Sequence, residues 1–292
     1  MTSRYLINLM LILVIAGLYW FNYQSNTTDI NQQTLTTLSS RDIHRITIKR
    51  ANATTIILEK SLSEWRVIQP LQAKANDTRI KLLLSILDTR SHATSMASDE
   101  DSLRQFGLAP AKVTLILNEQ QFHFGDVETI SNHRYILHHE LVHLIDDNVS
   151  HLLNTSASSF IDNRLLASNT VITKITLPIL NADNTISSDY SDIENSEGQW
   201  KSSDAHYTAD QLTALISVWQ HAYALQVLPI KQQLLATNIH KVTISYGDQQ
   251  SVELQIVLTD KTLFIYDQQQ QLKYQFPTSL AQQLLPQKIP IP

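Results

Sequence analysis

The chain after residue 40 repeats one order of predicted elements twice, and this repetition constrains the fold more than any single motif. Each pass opens with a strand, continues through a helix and ends with four strands. Val113 and Tyr135 of the first pass are as far apart as Val242 and Phe264 of the second. Matching order and spacing indicate an internal duplication. The alternative is that any chain of alternating helices and strands produces such a pattern.

Hydrophobic periodicity supports this interpretation. In the first pass it predicts a helix over Thr78 to Leu87 capped by Asp77, and strands at Ile43 to Lys49, Thr54 to Glu59, Lys112 to Leu117, Gln121 to Phe124, Arg134 to His138 and Leu141 to Ile145. In the second it predicts a helix over Ala209 to Leu225 opened by a Thr208/Gln211 capping box, and strands at Val171 to Leu177, Lys241 to Tyr246, Ser251 to Leu258, Thr262 to Tyr266 and Leu272 to Phe276. The fold class is therefore α+β, with two similar modules at residues 41–166 and 167–292. Each module is expected to be an antiparallel sheet packed with one or two helices.

Residues 5–23 form a nearly unbroken apolar run directly behind Arg4. This length suits a transmembrane helix, and the next basic residue is Arg41. The positive-inside rule then places the N-terminus in the cytoplasm and the bulk of the chain outside it. We therefore predict an anchor at residues 1–24 and a polar stalk at residues 25–40. The alternative is a cleaved signal peptide, although no small-residue cleavage site follows the apolar core.

Composition excludes several classes of function. The net charge is −5 and the basic residues are not clustered, which argues against nucleic acid as a partner. The chain has no cysteine, so disulfides, thiol nucleophiles and thiolate metal sites are excluded. Glycine is scarce and no phosphate-binding glycine motif occurs. We therefore predict no cofactor.

One segment matches a catalytic motif. His139, Glu140 and His143 form an H-E-x-x-H pattern, which binds zinc when a helix places both histidines on one face. β-forming residues surround the pattern, however, and the repeat aligns it with a predicted hairpin turn. On an extended strand the two histidines would lie about 13 Å apart. We therefore predict a hairpin tip and no catalytic residue, with His139, Glu140 and His143 as the metal candidates that remain.

An acidic stretch between Asn181 and Gly198 lacks the ligand spacing of a calcium loop. We predict a solvated loop for this stretch, because charge-rich connections normally face water.

Four short motifs carry a family resemblance. They are Trp65 to Pro70, Phe106 to Pro110, Tyr135-Ile136, and Phe160 to Leu166, which contains Asp162-Asn163-Arg164. Together they resemble the bacterial domain-of-unknown-function family 4340. The resemblance implies an anchored envelope protein without known catalytic residues. Some members of that family resemble accessory components of gliding-motility-type ABC exporters, which implies a membrane partner.

These observations lead to one expected function and two alternatives. We expect a single-pass protein of the bacterial inner membrane with a periplasmic bulk. It would act as a non-catalytic accessory, scaffold or binding subunit of an ABC-type transport system, with inner-membrane proteins as partners. The first alternative is a membrane-tethered zinc metallohydrolase that uses His139, Glu140 and His143. The second is a periplasmic ligand-binding module.

Overall fold

A computed structural model of the protein describes residues 10, 12–20, 34–96, 99–203, 206–231, 238–247 and 250–288. The described chain consists of two antiparallel sheets and a few short helices. The predicted α+β class is therefore confirmed, as is the prediction of two sheet modules.

The first sheet has nine strands. They are β1 (Arg45–Arg50), β2 (Ala53–Ser61), β3 (Glu64–Gln69), β4 (Ala73–Lys74), β5 (Ser91–Met96), β6 (Val113–Leu117), β7 (Gln120–Val127), β8 (Arg134–His138) and β9 (Leu141–Ile145). Their spatial order is β4-β3-β2-β1-β6-β7-β8-β9-β5, so β5 forms an edge beside β9.

The second sheet has eight strands. They are β10 (Ile172–Leu180), β11 (Ile186–Ser196), β12 (Gln199–Ser202), β13 (Gln226–Pro229), β14 (His240–Tyr246), β15 (Gln250–Leu258), β16 (Thr262–Asp267) and β17 (Leu272–Pro277). Their order is β12-β11-β10-β14-β15-β16-β17-β13. This matches the first sheet strand for strand once β4 is set aside, so the predicted repetition of element order is found.

Besides the helical residues 12–20, the described chain has five short α-helices, of which four connect strands and the last follows β17. Their bounds are Asp77–Leu84, Glu100–Gln105, Ser150–Leu153, Ala209–Gln220 and Ala281–Leu284. The predicted capping box of Thr208 and Gln211 is present. The first helix differs from its prediction, because the Asn76 side chain accepts the Arg79 N–H at 3.1 Å and takes the capping role expected of Asp77. The fourth helix ends at Gln220 rather than Leu225 because the following residues turn into strand β13.

Spatial contacts divide the chain into two compact units. Within the described residues, the first unit contains β5 to β9. The second contains β3, β4 and the whole second sheet. The boundary predicted between residues 166 and 167 stays a prediction.

Each unit buries apolar side chains of its own. In the first unit the strands β6 to β8 bury the side chains of Leu115, Leu117, Phe122, Phe124 and Ile136. In the second unit the helix Ala209–Gln220 buries one stripe, consisting of Leu212, Leu215, Ile216 and Trp219. The Trp219 indole N–H also donates to the Leu284 carbonyl at 2.7 Å. This spacing is that of an amphipathic helix with one buried face.

Two kinds of strand depart from the predictions. The stretch predicted as a solvated loop is mostly strand β11, which pairs with β10 and β12. Its Asp192 accepts hydrogen bonds from Thr176 and Lys174 of β10, at 2.6 and 3.0 Å.

The edge strands β5 and β13 were not predicted. Exposed strands such as β5 and β11 carry little apolar alternation, because most of their side chains face water.

The predicted anchor lies largely outside the described residues, as does much of the predicted stalk. Residues 12–20 are helical and all of them are exposed. Among the described residues, none of the helices has both the length and the apolar content needed to span a membrane.

Candidate functional site

The H-E-x-x-H segment forms the predicted hairpin tip. His138 ends β8, His139 and Glu140 make the turn, and Leu141 begins β9 directly opposite His138. His139 has a φ of 53°, a left-handed conformation in which histidine is enriched. His143 lies within β9, opposite Ile136. The helix on which this motif binds zinc is therefore not formed at His139, Glu140 and His143.

Two histidines of this hairpin are buried on the same face of the sheet. His138 and His143 have exposed fractions of 6% and 4%. The His138 ring stacks on Phe122 at 4.3 Å, and its Nδ1 lies 3.0 Å from the Gln121 carbonyl oxygen. The Nδ1 of His143 is buried and has no hydrogen-bond partner among the described residues. Burial lowers the pKa of both histidines, and His138 adds to the effect on His143. Burial therefore favours the neutral form of both side chains.

Sequence reasoning missed a second group of histidines in the same unit. His92, His133 and Asp146 place one nitrogen or oxygen atom each within 4.8 Å of the others. The three residues are far apart in sequence and match no spacing motif. The closest signal was the concentration of histidines around residue 139. We call this group the His–His–Asp cluster.

The Phe106 to Pro110 motif forms a tight step after a short helix. Phe106 caps the helix Glu100–Gln105, and Gly107 follows with a φ of 68°. The Phe106 carbonyl oxygen accepts the Asp126 N–H at 2.8 Å. The same oxygen approaches the Gly125 α-carbon so closely that a β-carbon there would collide with it. The turn formed by this motif is therefore held against strand β7.

The Asp162-Asn163-Arg164 motif also has a structural role. The backbone N–H of Asp162 donates to Lys74, and Asn163 exchanges two hydrogen bonds with Ala224, at 2.8 and 2.9 Å. Arg164 donates to both carboxylate oxygens of Asp162. The hydrogen bond to Asp162 raises the pKa of Arg164 further above its ordinary value. Within the second unit this segment bridges residues 74 and 222–224.

A cleft of about 370 Å³ opens beside this segment. We call it the Asn163 cleft; its polar lining includes Asn76, Arg79, Asn163, Gln226 and Gln275. These side chains offer amide and guanidinium hydrogen bonds to a ligand or a protein segment.

Comparison with known proteins identifies the same family that the short motifs resemble. The family model for Domain of unknown function (DUF4340) matches residues 65–234. No curated protein and no solved structure shows significant similarity to the chain. The matched region contains the Trp65, Phe106, Tyr135 and Asp162 motifs and covers more than half of the sequence. The chain therefore belongs to the DUF4340 family.

Proposed function

We propose that this chain is a membrane-anchored accessory or binding subunit of an ABC-type envelope transport system and is not itself a catalyst. In this proposal residues 5–23 anchor it in the bacterial inner membrane with the N-terminus in the cytoplasm. The folded units lie in the periplasm and contact inner-membrane proteins, including transporter subunits.

The observation that carries the proposal is the apolar helical segment at residues 12–20. Ile12, Val14 and Tyr19 have exposed fractions of 62%, 52% and 73%. A contiguous apolar surface of this kind is unfavourable in water and marks a contact with lipid or protein. Because the apolar sequence continues on both sides of this segment, a membrane is the contact we propose.

The use of the family motifs supports a non-catalytic role. The peptide groups of Phe106, Asp162 and Asn163 form backbone hydrogen bonds to other parts of their units. Arg164 is committed to Asp162. These hydrogen bonds of the motif residues lie within the fold, and this structural use supports our proposal of a scaffold rather than an active site.

The first experiment tests the partner. The full chain is purified in mild detergent from its native cells, beside a variant in which an unrelated apolar span replaces residues 5–23. We expect transporter subunits to copurify with both proteins, because the folded units make the contact. Recovery of the chain alone, under conditions that preserve known transporter complexes, would contradict the proposal.

The second experiment tests the orientation and uses the absence of native cysteine. Ser188→Cys introduces a thiol at an exposed position, and Ser3→Cys introduces one before the apolar run. We expect a membrane-impermeant maleimide to label Ser188→Cys in intact spheroplasts and Ser3→Cys only after lysis. The reverse pattern would exclude a periplasmic location for the folded units.

The Asn163 cleft favours a second candidate function, that of a periplasmic ligand-binding module. Its amide and guanidinium groups suit a small polar ligand. In this case Arg79→Ala is expected to abolish ligand binding while leaving copurification of transporter subunits unchanged.

A further inference from the structure

The His–His–Asp cluster lies where three neighbouring strands end in the first unit. His92 is in β5, His133 directly precedes β8 and Asp146 directly follows β9. Ile145 of β9 pairs with Arg134 of β8 and also with Ser91 of β5. Ser91, Ile145 and Arg134 thus lie side by side across the three strands. Each member of the cluster is adjacent in sequence to one of these three residues.

A β-bulge sets the position of His92. Ser91 pairs with Ile145, but Ala93 pairs with Leu144, so His92 is an extra residue in β5. Ala93 takes the place opposite Leu144 that regular pairing would assign to His92. The bulge thus leaves His92 outside the regular pairing, between the Ser91–Ile145 and Ala93–Leu144 pairs. Bulges often redirect a side chain beside functional sites.

The side chains of the cluster are already close to one another. The two imidazole rings stack at 4.0 Å with an interplanar angle of 6°. The Nε2 of His92 lies 3.1 Å from one carboxylate oxygen of Asp146, and the Nε2 of His133 lies 3.2 Å from the other. The side chains of His92, His133 and Asp146 are 36%, 22% and 60% exposed, so solvent reaches the group.

This donor set suits a divalent transition metal. Two imidazole nitrogens and one carboxylate are the protein ligands of many zinc sites that keep a coordination position open. Bonds of about 2.0–2.1 Å to a tetrahedral ion place its ligand atoms about 3.4 Å apart. The donor atoms of the cluster lie within 4.8 Å of one another, so their longest separation needs to shorten by about 1.4 Å at most. The carboxylate of Glu128 also interacts electrostatically with His133 and adds negative charge nearby.

We propose that His92, His133 and Asp146 form a binding site for a divalent transition-metal ion such as Zn²⁺. The ion keeps at least one coordination position for water or an external ligand, and it ties the edge strand β5 to β8 and β9. This inference is independent of the proposed transport role.

The first test is a zinc titration of the full chain in detergent after removal of metal with a chelator. We expect one Zn²⁺ per chain, bound by nitrogen and oxygen ligands since cysteine is absent. His92→Gln and His133→Gln are each expected to weaken the binding by roughly 100-fold or more. Asp146→Asn weakens it in the same direction.

The matched control separates this site from the H-E-x-x-H segment. His139→Asn with Glu140→Gln removes two candidate ligands of that segment, and asparagine tolerates the left-handed conformation at position 139. We expect this variant to bind zinc as the native protein does. Loss of binding in this variant, with retention in His92→Gln/His133→Gln, would overturn the proposal.

Thermal unfolding supplies a second readout that does not depend on the titration. Zn²⁺ should raise the Tm of the native chain and of the control variant, because a ligand that binds only the folded state stabilises it. The His92→Gln/His133→Gln variant should have a normal metal-free Tm and show no zinc-dependent shift. Absence of stoichiometric zinc from the native chain, or an equal Tm shift in the double variant, would also overturn the proposal.

Discussion

The hairpins β8–β9 and β16–β17 hold the same place in the strand order of their sheets, yet they bury different polar pairs. His138 and Leu141 close the first hairpin, whereas Asp267 and Leu272 close the second. Two pairs further from the turn, Ile136 faces His143 and Ile265 faces Tyr274. His138 therefore corresponds to Asp267, and His143 to Tyr274.

The comparison shows that the repeated scaffold keeps two buried polar positions but changes their acid–base chemistry. All four side chains are less than a tenth exposed. Burial lowers the pKa of the two histidines, so the first hairpin disfavours the gain of a proton. Burial and the nearby Asp267 raise the pKa of Tyr274, so the second hairpin disfavours the loss of one.

The largest effect is expected where the two sheets differ in backbone packing. Strand β7 contains Gly125, whereas β15, its counterpart in the strand order, contains no glycine. Gly125→Ala forces a β-carbon against the Phe106 carbonyl, which is backbone and cannot rotate away. We expect a loss of about 3 kcal/mol in the free energy of unfolding, measured by denaturant titration.

Gly198→Ala is the matched control for this change. Gly198 has a positive φ of 83°, but no atom of the residues that the structure describes lies within 4 Å of a β-carbon placed there. Only the conformational cost applies, so a smaller loss of about 1 kcal/mol is expected. Equal losses in the two variants would show that the contact with Phe106 is unimportant.

A somewhat smaller effect is expected at the turn of the second hairpin. Asp267 accepts the backbone N–H and the side-chain amide of Gln270, both at 2.9 Å. Asp267→Ala removes both bonds to a buried carboxylate, and we expect a loss of about 2 kcal/mol in the free energy of unfolding. Asp267→Asn keeps an acceptor for the backbone N–H and should retain much of the stability. Similar losses in both variants would imply that the charge, not the turn bond, is responsible.

The histidine pair predicts an acid-side loss of stability. Because the folded pKa of His143 lies below the ordinary 6.5, the unfolded chain takes up its proton first as the pH falls. The stability contributed by neutral His143 is fully present above pH 6.5 and decreases below it. His143→Leu should therefore reduce the loss of stability at acidic pH. The measurement is the free energy of unfolding, from denaturant titrations at a series of pH values. At pH 7 the variant should be at least as stable as the native chain, because the substitution removes a buried Nδ1 that has no partner in the described part of the chain.

The exposed His151 supplies a control for that titration. His151→Gln should leave the loss of stability at acidic pH unchanged. If it reduces this loss as much as His143→Leu does, the pH dependence does not arise from the buried pair.

The second hairpin predicts a loss of stability at high pH instead of low pH. This is the smallest effect, because it requires strongly alkaline conditions. The folded pKa of Tyr274 lies above the ordinary 10.0, owing first to burial and then to Asp267. Stability from the neutral phenol is complete below pH 10.0 and is lost as the pH rises through the folded pKa. Tyr274→Phe should remove this alkaline loss and leave the loss of stability at acidic pH unchanged. If Tyr274→Phe changed the loss of stability at both acidic and alkaline pH, the proposed correspondence between the hairpins would be wrong.

Part of the candidate site could be predicted because it depends on local pattern. The repeat register aligned His139 and Glu140 with the turn of the second hairpin, and β-forming residues surround both turns. The hairpin at His138 to Leu141 followed from that alignment. The His–His–Asp cluster could not be predicted in the same way. It depends on the pairing of β5 with β9 and on the bulge at His92, neither of which has a sequence signature.

By itself, the sequence determined the α+β class, the repeated order of elements and most of the central strands. Alternating burial leaves a readable pattern in strands such as β6 and β14. Only the tertiary structure decided that Ser91 to Met96 and the acidic stretch after Asn181 are strands, since their exposed side chains carry little such pattern. It also decided which histidines meet, because cross-strand neighbours are set by pairing and register over long sequence separations.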